Sequence, residues 1–80
     1  MKKAVAIRYE KSLPAPFIVA KGRGELALKI KEIAENNNVG IVYDTDLADN
    51  LEMIDIGTFI PEEYYQIIAE ILIFLGRVGQ

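Results

Sequence analysis

Neither cysteine nor histidine occurs in the eighty residues, so neither a disulfide framework nor a thiolate or imidazole metal site can staple the fold. A chain this short has little interior, and it must fold on apolar burial alone. With 51% hydrophobic and 26% charged residues it has the material for one small soluble domain, residues 1–80, and too little for two. The same omission removes zinc hydrolysis, catalytic triads and thiol chemistry. One serine, Ser12, and two threonines stand without a base beside them, which gives nucleophilic catalysis little support. No enzymatic activity and no cofactor is expected.

Charge is unevenly placed. The net charge is −3, which argues against a nucleic-acid binder, normally strongly basic. Residues 1–31 nevertheless hold eight Lys and Arg against Glu10 and Glu25, a net of +6, and residues 32–80 hold Arg77 against ten acids, a net of −9. Two readings stand side by side. The halves attract each other within the molecule, or Lys2, Lys3, Arg8, Lys11 and Lys21 form a basic face for an acidic partner or an anionic membrane surface.

Lys2 and Lys3 could open a signal peptide, but Arg8 and Glu10 interrupt the apolar stretch and no A-x-A site follows. The apolar runs at 13–20 and 71–76 are far short of the 18 or so residues a membrane span needs. The chain is therefore expected in the cytoplasm, peripheral to a membrane only through a partner.

Ala4 to Tyr9 reads as a first strand and Phe17 to Ala20 as a second, stopped by Gly22-Arg23-Gly24 and joined to the first by a proline-bearing loop. Leu26, Ile30, Ile33 and Ala34 then follow helical spacing over residues 25–37, and Asn36-Asn37-Asn38 ends the helix. Gly40 to Tyr43 gives a third strand, and Asp44 or Thr45 caps a short helix through about Leu51. Met53 to Ile56 alternates weakly and is read as a fourth strand before Gly57. Pro61, Glu62 and Glu63 suit the start of a last helix running from Tyr64 to about Arg77. The order β-β-α-β-α-β-α implies an α/β fold, a small mixed four-stranded sheet packed with helices.

The last helix is too apolar for one buried face. Around its axis Ile67, Ile68, Ile71, Leu75 and Val78 fall within roughly 60° of Tyr64, and Leu72, Tyr65, Gly76, Ala69 and Ile73 occupy the neighbouring side at roughly 80° to 180° from it. Loops or the short helix cover that second stripe, or it forms a shallow groove for a partner segment. Other motifs are weaker. Gly22-Arg23-Gly24 lacks the third glycine of a dinucleotide loop and the Gly-Lys-Ser/Thr of a P-loop. Asp44, Asp46 and Asp49 lack the glycine and closing glutamate of a calcium loop. Glu62 and Glu63 point about 100° apart on a helix and make a poor acid/base pair.

Taken in order, Ala4-Val5-Ala6-Ile7-Arg8-Tyr9, Ala15-Pro16-Phe17-Ile18-Val19-Ala20-Lys21-Gly22-Arg23-Gly24, Ile60-Pro61-Glu62-Glu63-Tyr64-Tyr65 and Ala69-Glu70-Ile71-Leu72 resemble the C-terminal cytoplasmic domain of the FlhB family. These are the switch proteins of flagellar type III export, and the resemblance covers nearly the whole chain. In the family an Asn-Pro-Thr-His motif precedes the first strand and cleaves its own backbone. Here Met1 and Lys2 stand at the Thr and His positions, and no asparagine of the eighty is followed by proline, so self-cleavage is not expected. The resemblance implies a stand-alone counterpart of the cleaved C-terminal fragment. It also implies an apolar patch for export-substrate segments at Ala15, Pro16, Ala69 and Leu72. Tyr65 is read as a further contact, and Lys21 either serves a helix or strand end or adds one more contact. The implied partners are components of the flagellar export apparatus, the membrane part of FlhB and the export gate among them, together with those substrate segments.

Overall fold

A computed structural model describes residues 1–10 and 12–78, with side chains described through Leu72. Lys11 of the basic set, and the side chains of Ile73, Leu75 and Val78 and the exposure of Gly76 in the helical stripes, lie outside the described residues. Strands β1 (Lys3–Arg8), β2 (Phe17–Arg23) and β3 (Gly40–Tyr43) and helices α1 (Glu25–Asn36), α2 (Asp46–Leu51) and α3 (Tyr65–Val78) follow in the order β1-β2-α1-β3-α2-α3, with a 3₁₀ turn at Glu62–Tyr64 leading into α3.

The sheet has three strands where four were expected, in the order β2-β1-β3, and both pairings are antiparallel, so the expected mixed sheet is replaced by an antiparallel one. Met53 to Ile56 forms no strand. Ile54 N–H donates to Leu51 C=O and Thr58 N–H to Asp55 C=O, bonds that close turns and curl the segment away from the sheet. Met53 is consequently 83% exposed. Pairing falls a few residues downstream: Gly57 N–H donates to Ile18 C=O, Thr58 C=O accepts from Ile18 N–H, and Ile60 N–H donates to Pro16 C=O, yet only Phe17 and Phe59 form a bridge. β2 also runs past its expected end, since Gly22 pairs with Ala4 and Arg23 with Lys3. Its stop is Gly24, whose φ of 62° and ψ of −130° suit glycine far better than a residue with a Cβ.

Strand alternation sorts side chains by size onto the two faces. Val5, Ile7, Ile18 and Val42 join Ala48, Leu51, Ile60 and Ile68 in one buried cluster beneath α2 and α3. Ala4, Ala6 and Gly22 face α1, and these small residues let that helix approach closely. A Cβ on Gly22 would lie 2.7 Å from Leu26 Cγ and 2.9 Å from Ile30 Cδ1. Close approach also shifts the helix's buried stripe. Ala27 and Ala34 are buried, whereas Leu26 and Ile33, which helical spacing groups with Ala34, are 55% and 63% exposed. With α1 seated on alanines and a glycine, the bulky residues of its stripe flank the contact instead of filling it.

Candidate functional site

The loop between β1 and β2 folds back on itself, with Leu13 N–H donating to Glu10 C=O at 2.9 Å. Its far end is pinned where Pro16 C=O accepts from Ile60 N–H at 2.8 Å. Pro61 follows directly. Its C=O accepts from Tyr64 N–H at 3.0 Å, starting the turn that launches α3, so the proline loop and the beginning of α3 are held side by side. Ile68, fully buried, fixes the rotation of α3 about its axis. Residues roughly 40° to 100° round from that anchor then face the loop.

Among the described residues, Tyr9, Pro14, Pro16, Tyr65, Ala69 and Leu72 line a shallow cavity of about 240 Å³, and none of these six carries a charged side chain. Of the residues singled out in the sequence, the structure brings together Pro16, Tyr65, Ala69 and Leu72. Ala15 is only 4% exposed and sits under the loop as support, outside the cavity wall. Lys21 stands apart from the groove. Its Nζ donates to the carbonyls of Glu52 and Ile54 at 2.8 and 2.9 Å, holding the turn that follows α2. Tyr9 and Pro14 were not foreseen as lining residues. The signal available for them was an exposed aromatic residue ending a strand beside a loop with two prolines.

A second depression, of about 380 Å³, adjoins the first and shares Tyr9 and Leu72 with it. Arg8, Asn37, Asn38 and Gly40 give it a more polar wall.

Away from the groove, the basic strand ends meet the acidic α2 region. Lys3 Nζ lies 3.2 Å from Asp49 and 3.5 Å from Glu52, and Arg23 forms a two-bond pair with Glu52. The Arg23 guanidinium, first by hydrogen bonding, holds the Glu52 carboxyl below the usual carboxylate range, and Glu52 raises Arg23 in return. Lys2 and Lys31 stand over the Tyr43 ring at 5.8 and 5.4 Å. Of the expected basic face, Lys2, Lys3, Arg8 and Lys21 each meet a partner within the molecule, Arg8 by a 3.4 Å approach to Glu10. Thr45 caps α2 through an Oγ1 that accepts from Ala48 N–H at 3.3 Å, and Asp44 instead takes a left-handed turn at φ 51°. Among the described residues no acidic cluster is placed to hold a metal ion.

The groove sits on a known framework. A sequence profile described as the FlhB HrpN YscU SpaS Family matches residues 1–75. The chain belongs to that family. Flagellar biosynthetic protein FlhB of Bacillus subtilis is 40% identical over 79 residues, which are 96% of this chain and 22% of that protein. FlhB of Escherichia coli is 40% identical over 77 residues, 94% of this chain and 20% of that protein. The chain therefore spans about a fifth of the length of these relatives. The PscU C-terminal domain superposes with a TM-score of 0.74 at 31% identity, covering 91% of this chain and 95% of that one. A mutated EscU/SpaS C-terminal domain gives 0.77 at 25% identity, covering 94% and 95%. FlhB family members serve flagellar biosynthesis and type III protein export. Among the described residues of this member no helix is long and apolar enough to cross a membrane.

Proposed function

We propose that the chain is a non-enzymatic binding module of the flagellar type III export apparatus. It receives short apolar segments of export substrates in the groove between the proline loop and α3, docks on the membrane part of FlhB and the export gate, and stands in for or assists the cleaved C-terminal fragment of FlhB in switching export specificity. The observation that carries this reading is the cavity lined by Pro16, Tyr65, Ala69 and Leu72, none of whose described lining residues is charged. Two prolines and two tyrosines give it stiff walls, and Ala69 leaves room for one incoming apolar side chain. Burying such a side chain contributes about 1.5–3 kcal/mol. That favours capture and release in turn over permanent assembly, as sampling of successive substrates requires.

Binding is tested with a peptide carrying one Phe or Leu, titrated by calorimetry into the protein and into Ala69→Glu. Ala69 is exposed, so the variant keeps the fold while placing a charge in the groove. An affinity loss of tenfold or more is expected, and unchanged affinity would sink the reading. The export role is tested by expressing the chain with an FlhB truncated after its membrane and linker region. Recovery of motility and of the change from hook to filament export is the expected result.

A further inference from the structure

Tyr9 stands where strand pairing stops. Asp44 N–H donates to Lys3 C=O at 2.7 Å, and Val5 and Ile7 stand opposite Val42 and Gly40. Odd-numbered residues of β1 therefore turn their main-chain groups toward β3. Tyr9 is next in that series, but β3 begins at Gly40, opposite Ile7. Among the described residues the N–H and C=O of Tyr9 have no main-chain partner. They lie at the second depression, whose far wall is Asn37 and Asn38, where a left-handed Asn38 at φ 55° turns the chain from α1 into β3.

Among the described residues the cation at this depression is Arg8. Its side chain is 60% exposed, and its ion pair is a 3.4 Å approach to Glu10, itself 51% exposed. Such a pair is weak and readily exchanged for another carboxylate. Since the depression shares Tyr9 and Leu72 with the apolar groove, the two form one continuous trough, apolar at one end and hydrogen-bonding and cationic at the other.

We infer that the trough reads its occupant in two parts: an apolar side chain seated against Pro16, Ala69 and Leu72, and an adjoining extended acidic stretch whose main chain bonds to Tyr9 and whose carboxylate meets Arg8. This rests on the substrate-segment reading above and specifies the chemistry of the segment. An extended conformation is required because a helical occupant has already used its own N–H and C=O groups and can offer none to Tyr9. An acidic stretch is selected because Arg8 lines the depression and its exposed partner Glu10 does not, so an incoming carboxylate can replace Glu10 at the guanidinium while a lysine cannot, and Asn37 and Asn38 are neutral.

The test uses the intact protein and three dye-labelled peptides followed by fluorescence polarisation. All carry one Phe. One is flanked on both sides by Gly and Ser, one by Glu, and one by Lys. The Glu peptide is expected to bind about three- to tenfold tighter than the Lys peptide. That preference should be lost or reversed in Arg8→Gln, which leaves the Glu10 carboxylate unpaired nearby, and reverse in Arg8→Glu, with the Gly/Ser peptide unaffected by either variant. Equal binding of the Glu and Lys peptides by the unaltered protein, or a preference that survives both substitutions, would overturn the inference while leaving the groove reading in place. If no peptide of the three binds, the groove reading falls and this inference falls with it.

Discussion

Arg23 grips Glu52 through two parallel hydrogen bonds, Nε to Oε1 at 2.8 Å and Nη2 to Oε2 at 2.9 Å. The pair joins the last residue of β2 to the residue just after α2, and Lys3 approaches the same carboxylate at 3.5 Å. Opposite-signed halves of the sequence therefore face each other here, where the basic strand ends abut the acidic helix. Because Arg23 lowers the Glu52 carboxyl, the folded-state pKa lies below the unfolded one, near the ordinary value of about 4.3. The stabilisation is then fully present above that ordinary value and is lost as pH falls through the lower, folded value. Glu52→Gln should have a lower Tm than the unaltered protein at pH 7, with the gap closing on acidification below about pH 4. Thermal unfolding across this range checks it, and a gap independent of pH would refute it.

Lys21 separates a structural from a binding role. Its ammonium serves two carbonyls of the turn after α2, and it does not line the groove. Lys21→Met should cost about 1–3 kcal/mol by leaving those carbonyls without their charged donor. Urea unfolding measures that loss, and calorimetry with the Phe-bearing peptide should find affinity unchanged in the folded variant.

Gly22 is required by close approach, not by its backbone angles. Gly22→Ala drives a methyl into Leu26 and Ile30 and should destabilise by about 1–3 kcal/mol. Leu26 is largely exposed and can be trimmed cheaply, so adding Leu26→Ala should recover part of the loss. The coupling in a double-mutant cycle is the measurement. Strict additivity would show that α1 does not seat on Gly22 as described.

Leu72 serves two tasks at once, packing against the buried cluster and lining the groove. Leu72→Asp is therefore expected to lower stability as well as abolish capture of an apolar peptide. Ala69→Leu should abolish or weaken capture alone, because it fills the cavity from an exposed helical position at little cost in propensity. Paired denaturation and binding curves distinguish the two effects. Retained affinity in Ala69→Leu would place the binding site elsewhere.

Local chemistry made much of the fold legible. Helical spacing located α1, and the run of Pro61, Glu62 and Glu63 marked the entry to α3, whose apolar excess already showed a second stripe containing Tyr65, Ala69 and Leu72. Pro16 could be added to that stripe only through family resemblance, since nothing local says that a loop fifty residues earlier lies beside this helix. Tyr9 and Pro14 escaped for the same reason. The expected fourth strand failed because alternation in Met53 to Ile56 records only a tendency to extend. Whether a segment pairs depends on which edge it reaches, and the turn after α2 delivers residues 57–60 to β2 in its place.

Residue types and their spacing already establish that the protein folds on apolar burial without staples, that its charges are segregated, and that its last helix carries more apolar surface than one core face uses. These are properties of composition and periodicity, which local physics fixes. Tertiary structure alone decided that the segregated charges meet at Arg23 and Glu52, that small residues under α1 push its bulky side chains outward, and that the proline loop completes the groove. Each depends on contacts between residues far apart in the chain, where the balance of packing and hydrogen bonding over the whole molecule selects the arrangement.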